Sequence, residues 1–150
     1  MTTVTAERDI HVPTRIAYDQ WTQFESFPRF LSGVVETTQL DDSHVHWKVN
    51  VGGVEREFDT EITEQLPNEI IAWRSVRGPL HAGSVRFTPD GTGTHVELEL
   101  EWEPEGFVEK AGAALGIDNL QVERDLRRFA EFIEHRGTPT GSWREAIDTP

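Results

Sequence analysis

The segment from Glu105 to His135 constrains the fold most. Val108, Ala111, Gly112, Leu115, Val122, Leu126, Phe129 and Ile133 recur there at steps of three and four, the spacing that gathers side chains on one face of a helix. Glu109, Lys110, Glu123, Arg124, Arg127, Arg128, Glu131 and Glu134 fill the opposite face. The spacing predicts an amphipathic helix of roughly eight turns. One long helix with one apolar face needs a partner surface, and everything upstream is short and alternating, so the partner is a sheet.

Taken in order, Val4 to Val12 read as a first strand that Pro13 ends, with proline and Thr14 opening a helix to about Thr22. Phe27 to Leu31 read as a second short helix before the break at Gly33. Trp21, Phe24, Phe27, Phe30 and Leu31 crowd this region, and each buries a large apolar area. From Val34 the period changes to two. Val45, Trp47, Val49 and Val51 share a face against His44, His46, Lys48 and Asn50, and Gly52-Gly53 supplies a hairpin turn. Val54, Phe58 and Ile62 then oppose Glu55, Glu57, Asp59 and Glu61; turns follow at Pro67-Asn68, Gly78-Pro79 and Pro89-Asp90-Gly91. In the last strand Val96, Leu98, Leu100 and Trp102 alternate with a row of acids. An antiparallel sheet wet on one face is implied, and six or seven strands twist enough to curl around a helix and leave a cavity beneath it.

Within the long segment Gly112 and Gly116 each cost about 1 kcal/mol against alanine, and Asp118 with Gln121 has the form of a capping box. Either the helix breaks near Gly116 and restarts at Asn119, or the glycines let it approach the sheet closely.

At 150 residues the chain has the length of one domain. Residues 1–136 form that domain, and 137–150 read as a polar tail whose truncation should cost little. A formal charge of −13 repels nucleic acid and anionic membranes. The chain has no cysteine, which excludes disulfides, thiolate catalysis and cysteine-based metal sites. It has no signal-peptide pattern and no apolar run of roughly 18 residues, so a cytoplasmic protein without integral membrane association is expected.

The opening strand, the segment Trp21-Thr22-Gln23-Phe24-Glu25-Ser26-Phe27-Pro28-Arg29-Phe30, the run Ile71-Ala72-Trp73-Arg74-Ser75, and Pro104-Glu105-Gly106 before the last helix together resemble the polyketide cyclase/dehydrase and coenzyme Q-binding group of the START-like (SRPBCC) superfamily. The resemblance runs from about Val4 to Trp143. It implies a helix-grip α+β fold: a curved, seven-stranded antiparallel sheet around a long C-terminal helix, with two short helices after strand 1. It further implies a hydrophobic cavity for a small lipophilic partner that is polyketide-, lipid- or quinone-like. Some members are carriers; others are aromatase/cyclases with an arginine pointing inward from a central strand. The place of that arginine falls near Thr60 to Ile62, where this sequence has none. Arg74, on the neighbouring strand, is the substitute on offer.

The chain carries few other motifs. His44-x-His46 puts two imidazoles on one strand face, but no third ligand follows at metal-site spacing and that face is the wet one. No HExxH, phosphate loop or nucleophile elbow occurs, and Gly91-Thr92-Gly93-Thr94 reads as a hairpin turn. No cofactor is indicated. Inner-face residues are the better candidates. Two registers are open for Ile70 to Val76: Ile70, Ala72 and Arg74 inward, or Ile71, Trp73 and Ser75. Tryptophan favours the buried side, which would expel Arg74. With both registers open, the candidate ligand-binding set is Trp47, Phe58, Trp73, Arg74, Phe87, Trp102, Leu115 and Asn119, the last lying on the helix stripe between Leu115 and Val122. Under an enzymatic reading Arg74, Tyr18 or Asn119 would polarise a carbonyl. A third reading is an accessory protein without a ligand, its interior filled by the tryptophans.

Overall fold

The computed structural model describes residues 2–31, 34–51, 54–77, 81–102, 119–143 and 147–148. Its strands are β1 (Thr2–Ile10), β2 (Val34–Gln39), β3 (His44–Val51), β4 (Val54–Leu66), β5 (Ile70–Arg77), β6 (His81–Asp90), β7 (Gly93–Trp102) and a two-residue β8 (Ile147–Asp148). The helices are α1 (Thr14–Trp21), a 3-10 helix (Phe24–Arg29) and α2 (Asn119–Arg136). The first seven strands form one antiparallel sheet in the order β1-β7-β6-β5-β4-β3-β2, and β8 pairs with β4. The hairpins place each strand beside the next. β1 departs from this by pairing along its length with β7, from Thr2 opposite Trp102 to Ile10 opposite Thr94.

Local chemistry sets the boundaries. Pro13, expected just inside the first helix, stands one position earlier as its N-cap, with φ −58 and ψ 151. Its carbonyl accepts from Ile16 and Ala17 at 3.0 and 3.2 Å, so proline contributes the acceptor and loses no needed donor. The second short helix covers Phe24–Arg29 rather than Phe27 to Leu31, and it is a 3-10 turn with Pro28 inside. The hydroxyl of Thr37 on β2 bonds the Phe24 carbonyl and fastens that turn to the sheet edge. Asn68 takes φ 67 in the β4–β5 turn and Gly91 takes φ 63 in the β6–β7 turn, the left-handed values tight turns ask for.

The core lies between the sheet's inner face and the helices. Val122, Leu126, Phe129 and Ile133 are all at least 96% buried, so the second half of the apolar stripe packs as its spacing implies. Phe129 meets Trp21 with ring centroids 4.8 Å apart at 70°, and Phe30 at 5.1 Å. Edge-on aromatic pairs of this kind add about 0.5–1.5 kcal/mol beyond their buried area. The stretch 105–118, with the expected break at Gly116 and the capping box at Asp118, lies outside the described residues.

The tail departs from the expectation of a free loop. Gln20 on α1 is fully buried; its Nε2 donates to Thr140 Oγ1 at 3.1 Å and its Oε1 accepts from the Thr140 amide at 2.8 Å. Ile147 and Asp148 then pair with Gln65 and Glu64, continuing the pairing of β4 beyond Glu61, which lies opposite His44 at the start of β3.

Candidate ligand-binding site

The inner face of the sheet carries an aromatic wall. Trp47 on β3 lies directly across from Phe58 on β4, and their rings stack at 12° with centroids 5.8 Å apart. Trp73 on β5 continues the stack, 6.2 Å from Trp47 at 26°. Phe27 of the 3-10 helix closes on Trp47 from one side at 5.5 Å. A cross-strand aromatic pair is among the stronger contributions on a sheet face, which helps explain how the wall is held flat.

The polar atom of Trp47 is satisfied inside the sheet. Its Nε1 donates to Thr60 Oγ1 at 2.8 Å, and the Thr60 hydroxyl donates to the Val45 carbonyl at 3.4 Å. Thr60 is 1% exposed, so the indole meets its hydrogen-bonding need without water and turns its apolar faces inward. Trp73 has a seat of its own. A β-carbon at Gly83 would fall 2.5 Å from Trp73 Cζ2 and 3.0 Å from Leu100 Cδ2, a close approach that only glycine permits.

The register of β5 follows from this packing. Trp73 pairs between Ile62 and Gly83 and is buried with Ile71, whereas Arg74 is exposed on the outer face, opposite Glu61 and Ala82. The inward Arg74 of the first register is therefore corrected: burial of the indole outweighs any role for the guanidinium, and one residue's difference sends the two side chains to opposite faces. Phe87 is buried too, but it packs on Tyr18 of α1, 5.5 Å away at 75°, and its ring pair is with the helix rather than with the stack. The backbone of Trp102 pairs with Thr2 and His81; its side chain, that of Asn119, and Leu115 lie outside the described residues.

Alternation puts Thr60 between Phe58 and Ile62 on the inner face, and a further residue of this face runs against the alternation. Gln65 is fully buried on the inner face, directly opposite buried Ile71. The pairing of β4 with β5 shifts between Ile62 and Glu64, so the inward series runs Phe58, Thr60, Ile62, Gln65. A bulge adds a residue and reverses the parity of everything beyond it.

The outer face is wet and charged. His46 lies 2.5 Å from Asp59 through Nδ1 and 2.9 Å from Glu57 through Nε2, and these carboxylates, Asp59 first, raise its pKa above the ordinary histidine value. Asp9, 2.7 Å away, does the same for His95. Asp41 is held below the usual carboxylate range by the Ser43 amide and by His44 at 2.8 Å. With His46 committed to carboxylates through both ring nitrogens, this strand face is an ion-paired surface. Among the described residues no group of three or more His, Asp or Glu side chains is placed to hold a metal, and no helix is long and apolar enough to cross a membrane.

Among the described residues, concave patches lie elsewhere: a small one on β6 and β7 lined by Ser84, Glu99 and Glu101, and two larger ones. One, of about 230 Å³, runs from Thr22 to Arg29 with Gln39 and Thr140, and is polar. The other surrounds Phe132, whose ring has the guanidiniums of Arg29 and Arg136 5.9 and 5.8 Å from its centroid.

A β1-to-β7 closure with the C-terminal helix against the inner face defines a START-like, helix-grip α+β protein. Residues 10–133 match the family described as polyketide cyclase/dehydrase and lipid transport, and the chain belongs to that family. It is 46% identical over 149 residues to an uncharacterized 17.2 kDa protein of Streptomyces lincolnensis, covering 98% of this chain and 99% of the relative. Among solved structures it is similar to a protein from Deinococcus radiodurans, at 24% identity and a TM-score of 0.74 over 91% of this chain and 99% of the other. It is also similar to the ZhuI aromatase/cyclase from Streptomyces sp. R1128, at 16% identity and a TM-score of 0.73 over 95% and 99%. At these identities the two structures speak for the fold.

Proposed function

We propose that the protein binds a small hydrophobic molecule in the space between the sheet's inner face and the C-terminal helix. The observation that carries this reading is the stack of Phe58, Trp47 and Trp73, in which the Trp47 indole N–H is satisfied within the sheet by Thr60. Such a wall offers flat apolar surface and suits a flat or aromatic ligand. The family's inclusion of lipid transport supports the same reading. The ligand is the expected partner; the charge of −13 weighs against nucleic acid, and a cytoplasmic place of action fits a chain with these contents. An aromatase/cyclase role, the activity named for the Streptomyces neighbour, is the weaker reading because Arg74 faces outward.

The test is titration with 1-anilinonaphthalene-8-sulfonate and its displacement by 2-methylnaphthalene. Enhanced, blue-shifted fluorescence that 2-methylnaphthalene reverses is expected, with Trp73→Ala weakening it several-fold and Arg74→Ala leaving it unchanged. An unresponsive probe, or a response insensitive to Trp73, would end the reading.

A further inference from the structure

Among the described residues two glutamines are completely buried, Gln20 and Gln65, and they are provided for very differently. The amide of Gln20 is fully engaged: Nε2 donates to Ser26 Oγ at 3.2 Å and Thr140 Oγ1 at 3.1 Å, while Oε1 accepts the Thr140 N–H at 2.8 Å. Among the described residues Gln65 has no hydrogen-bond partner at either Nε2 or Oε1. A primary amide offers two donors and two acceptor lone pairs, and leaving all of them unmet in an interior is strongly unfavourable. Buried polar groups in native proteins find partners in protein, ordered water or ligand.

The place of Gln65 suggests which. It follows Phe58, Thr60 and Ile62 on the inner side of β4, opposite Ile71 and two residues along β5 from Trp73, so it is the polar group at the end of the aromatic wall. The Trp21 indole nitrogen is also buried without a hydrogen-bond partner. It sits among ring faces, crossing Phe129 at 70° and 4.8 Å, where a π face serves as a weak acceptor. A π face could not meet the acceptor oxygen of the Gln65 amide.

We infer that the Gln65 amide is the polar anchor of the apolar site and that it selects a hydroxylated aromatic ligand. This rests on the binding reading above. A phenolic hydroxyl donates to Oε1 and accepts from Nε2, using both functions of the amide. A quinone or ketone oxygen accepts from Nε2 and leaves Oε1 bare. A hydrocarbon satisfies neither. Since one buried group is matched or left unpaired, selectivity is expected at the hydroxyl rather than along the rings.

Equilibrium dialysis of the full chain against 2-naphthol, 1,4-naphthoquinone and 2-methylnaphthalene tests this. The wild type should bind 2-naphthol about tenfold more tightly than 2-methylnaphthalene, the amount one hydrogen bond commonly contributes, with the quinone between them. Gln65→Leu should bind 2-methylnaphthalene at least as well as the wild type and lose the preference for naphthol. Equal binding of naphthol and methylnaphthalene by the wild type would overturn the inference whatever the variant does, and so would a preference that survives in Gln65→Leu. Both outcomes leave the hydrophobic-ligand reading standing. Failure of all three probes to bind the wild type would remove that reading and this one together.

Discussion

Gly83→Ala is the sharpest probe of how the wall is built. The added methyl would lie 2.5 and 2.7 Å from two atoms of the Trp73 indole and 3.0 Å from Leu100, so the ring must retreat by about 1 Å to recover an ordinary carbon contact of about 3.5 Å. Trp73 is 5% exposed and stacked on Trp47, so the retreat disturbs a packed core, for which overpacking costs about 1–3 kcal/mol. Replacing glycine also stiffens the unfolded chain, which returns about 0.4–1 kcal/mol. The net expectation is a loss of about 1–2 kcal/mol, read as a fall of roughly 0.5–1 M in the urea midpoint. The indole is the named obstacle, so in a Trp73→Leu background the same substitution should be close to neutral. A double-mutant cycle measures this coupling directly. Neutral or stabilising behaviour of Gly83→Ala in the wild type, or an equal penalty in both backgrounds, would refute the idea that Gly83 seats Trp73.

Two further expectations concern the surface and the tail. The pKa of His46 is raised by Asp59 and Glu57, so its stabilising effect is fully present below the ordinary histidine value of about 6.5 and is lost as pH rises through the higher folded value. His46→Gln should therefore be more destabilising in urea at pH 6 than at pH 9, and a pH-independent difference would contradict the ion pairing. Truncation after Arg136 removes both Thr140 bonds and leaves fully buried Gln20 short of partners, which should cost about 1–3 kcal/mol; an unchanged urea midpoint would return the tail to the status of a free loop.

The alternation of β3 and β7 and the three- and four-residue steps of α2 made the architecture readable, because each needs only one apolar face and a constant period. Trp73 against Arg74 was readable as a choice between two registers, and the burial of an indole settles it. What periodicity could not carry were breaks in period and contacts between distant residues. The bulge before Glu64 brings Gln65 inward where strict alternation points it out. The bond from Gln20 to Thr140 joins residues 120 positions apart. Alternation puts Phe87 on one face of β6 with Val85, but its contact with Tyr18 depends on where α1 lies, which the strand pattern does not contain.

Five tryptophans occur in the chain, and their indole N–H signals in a ¹H–¹⁵N spectrum, assigned by single substitution, provide the most direct test of the central claim. During titration with 2-methylnaphthalene the signals of Trp47 and Trp73 should shift in a saturable way, while that of half-buried Trp143 in the tail stays in place. Shifts confined to Trp143, or no saturable shift at Trp47 and Trp73, would contradict a ligand site on the inner wall of the sheet.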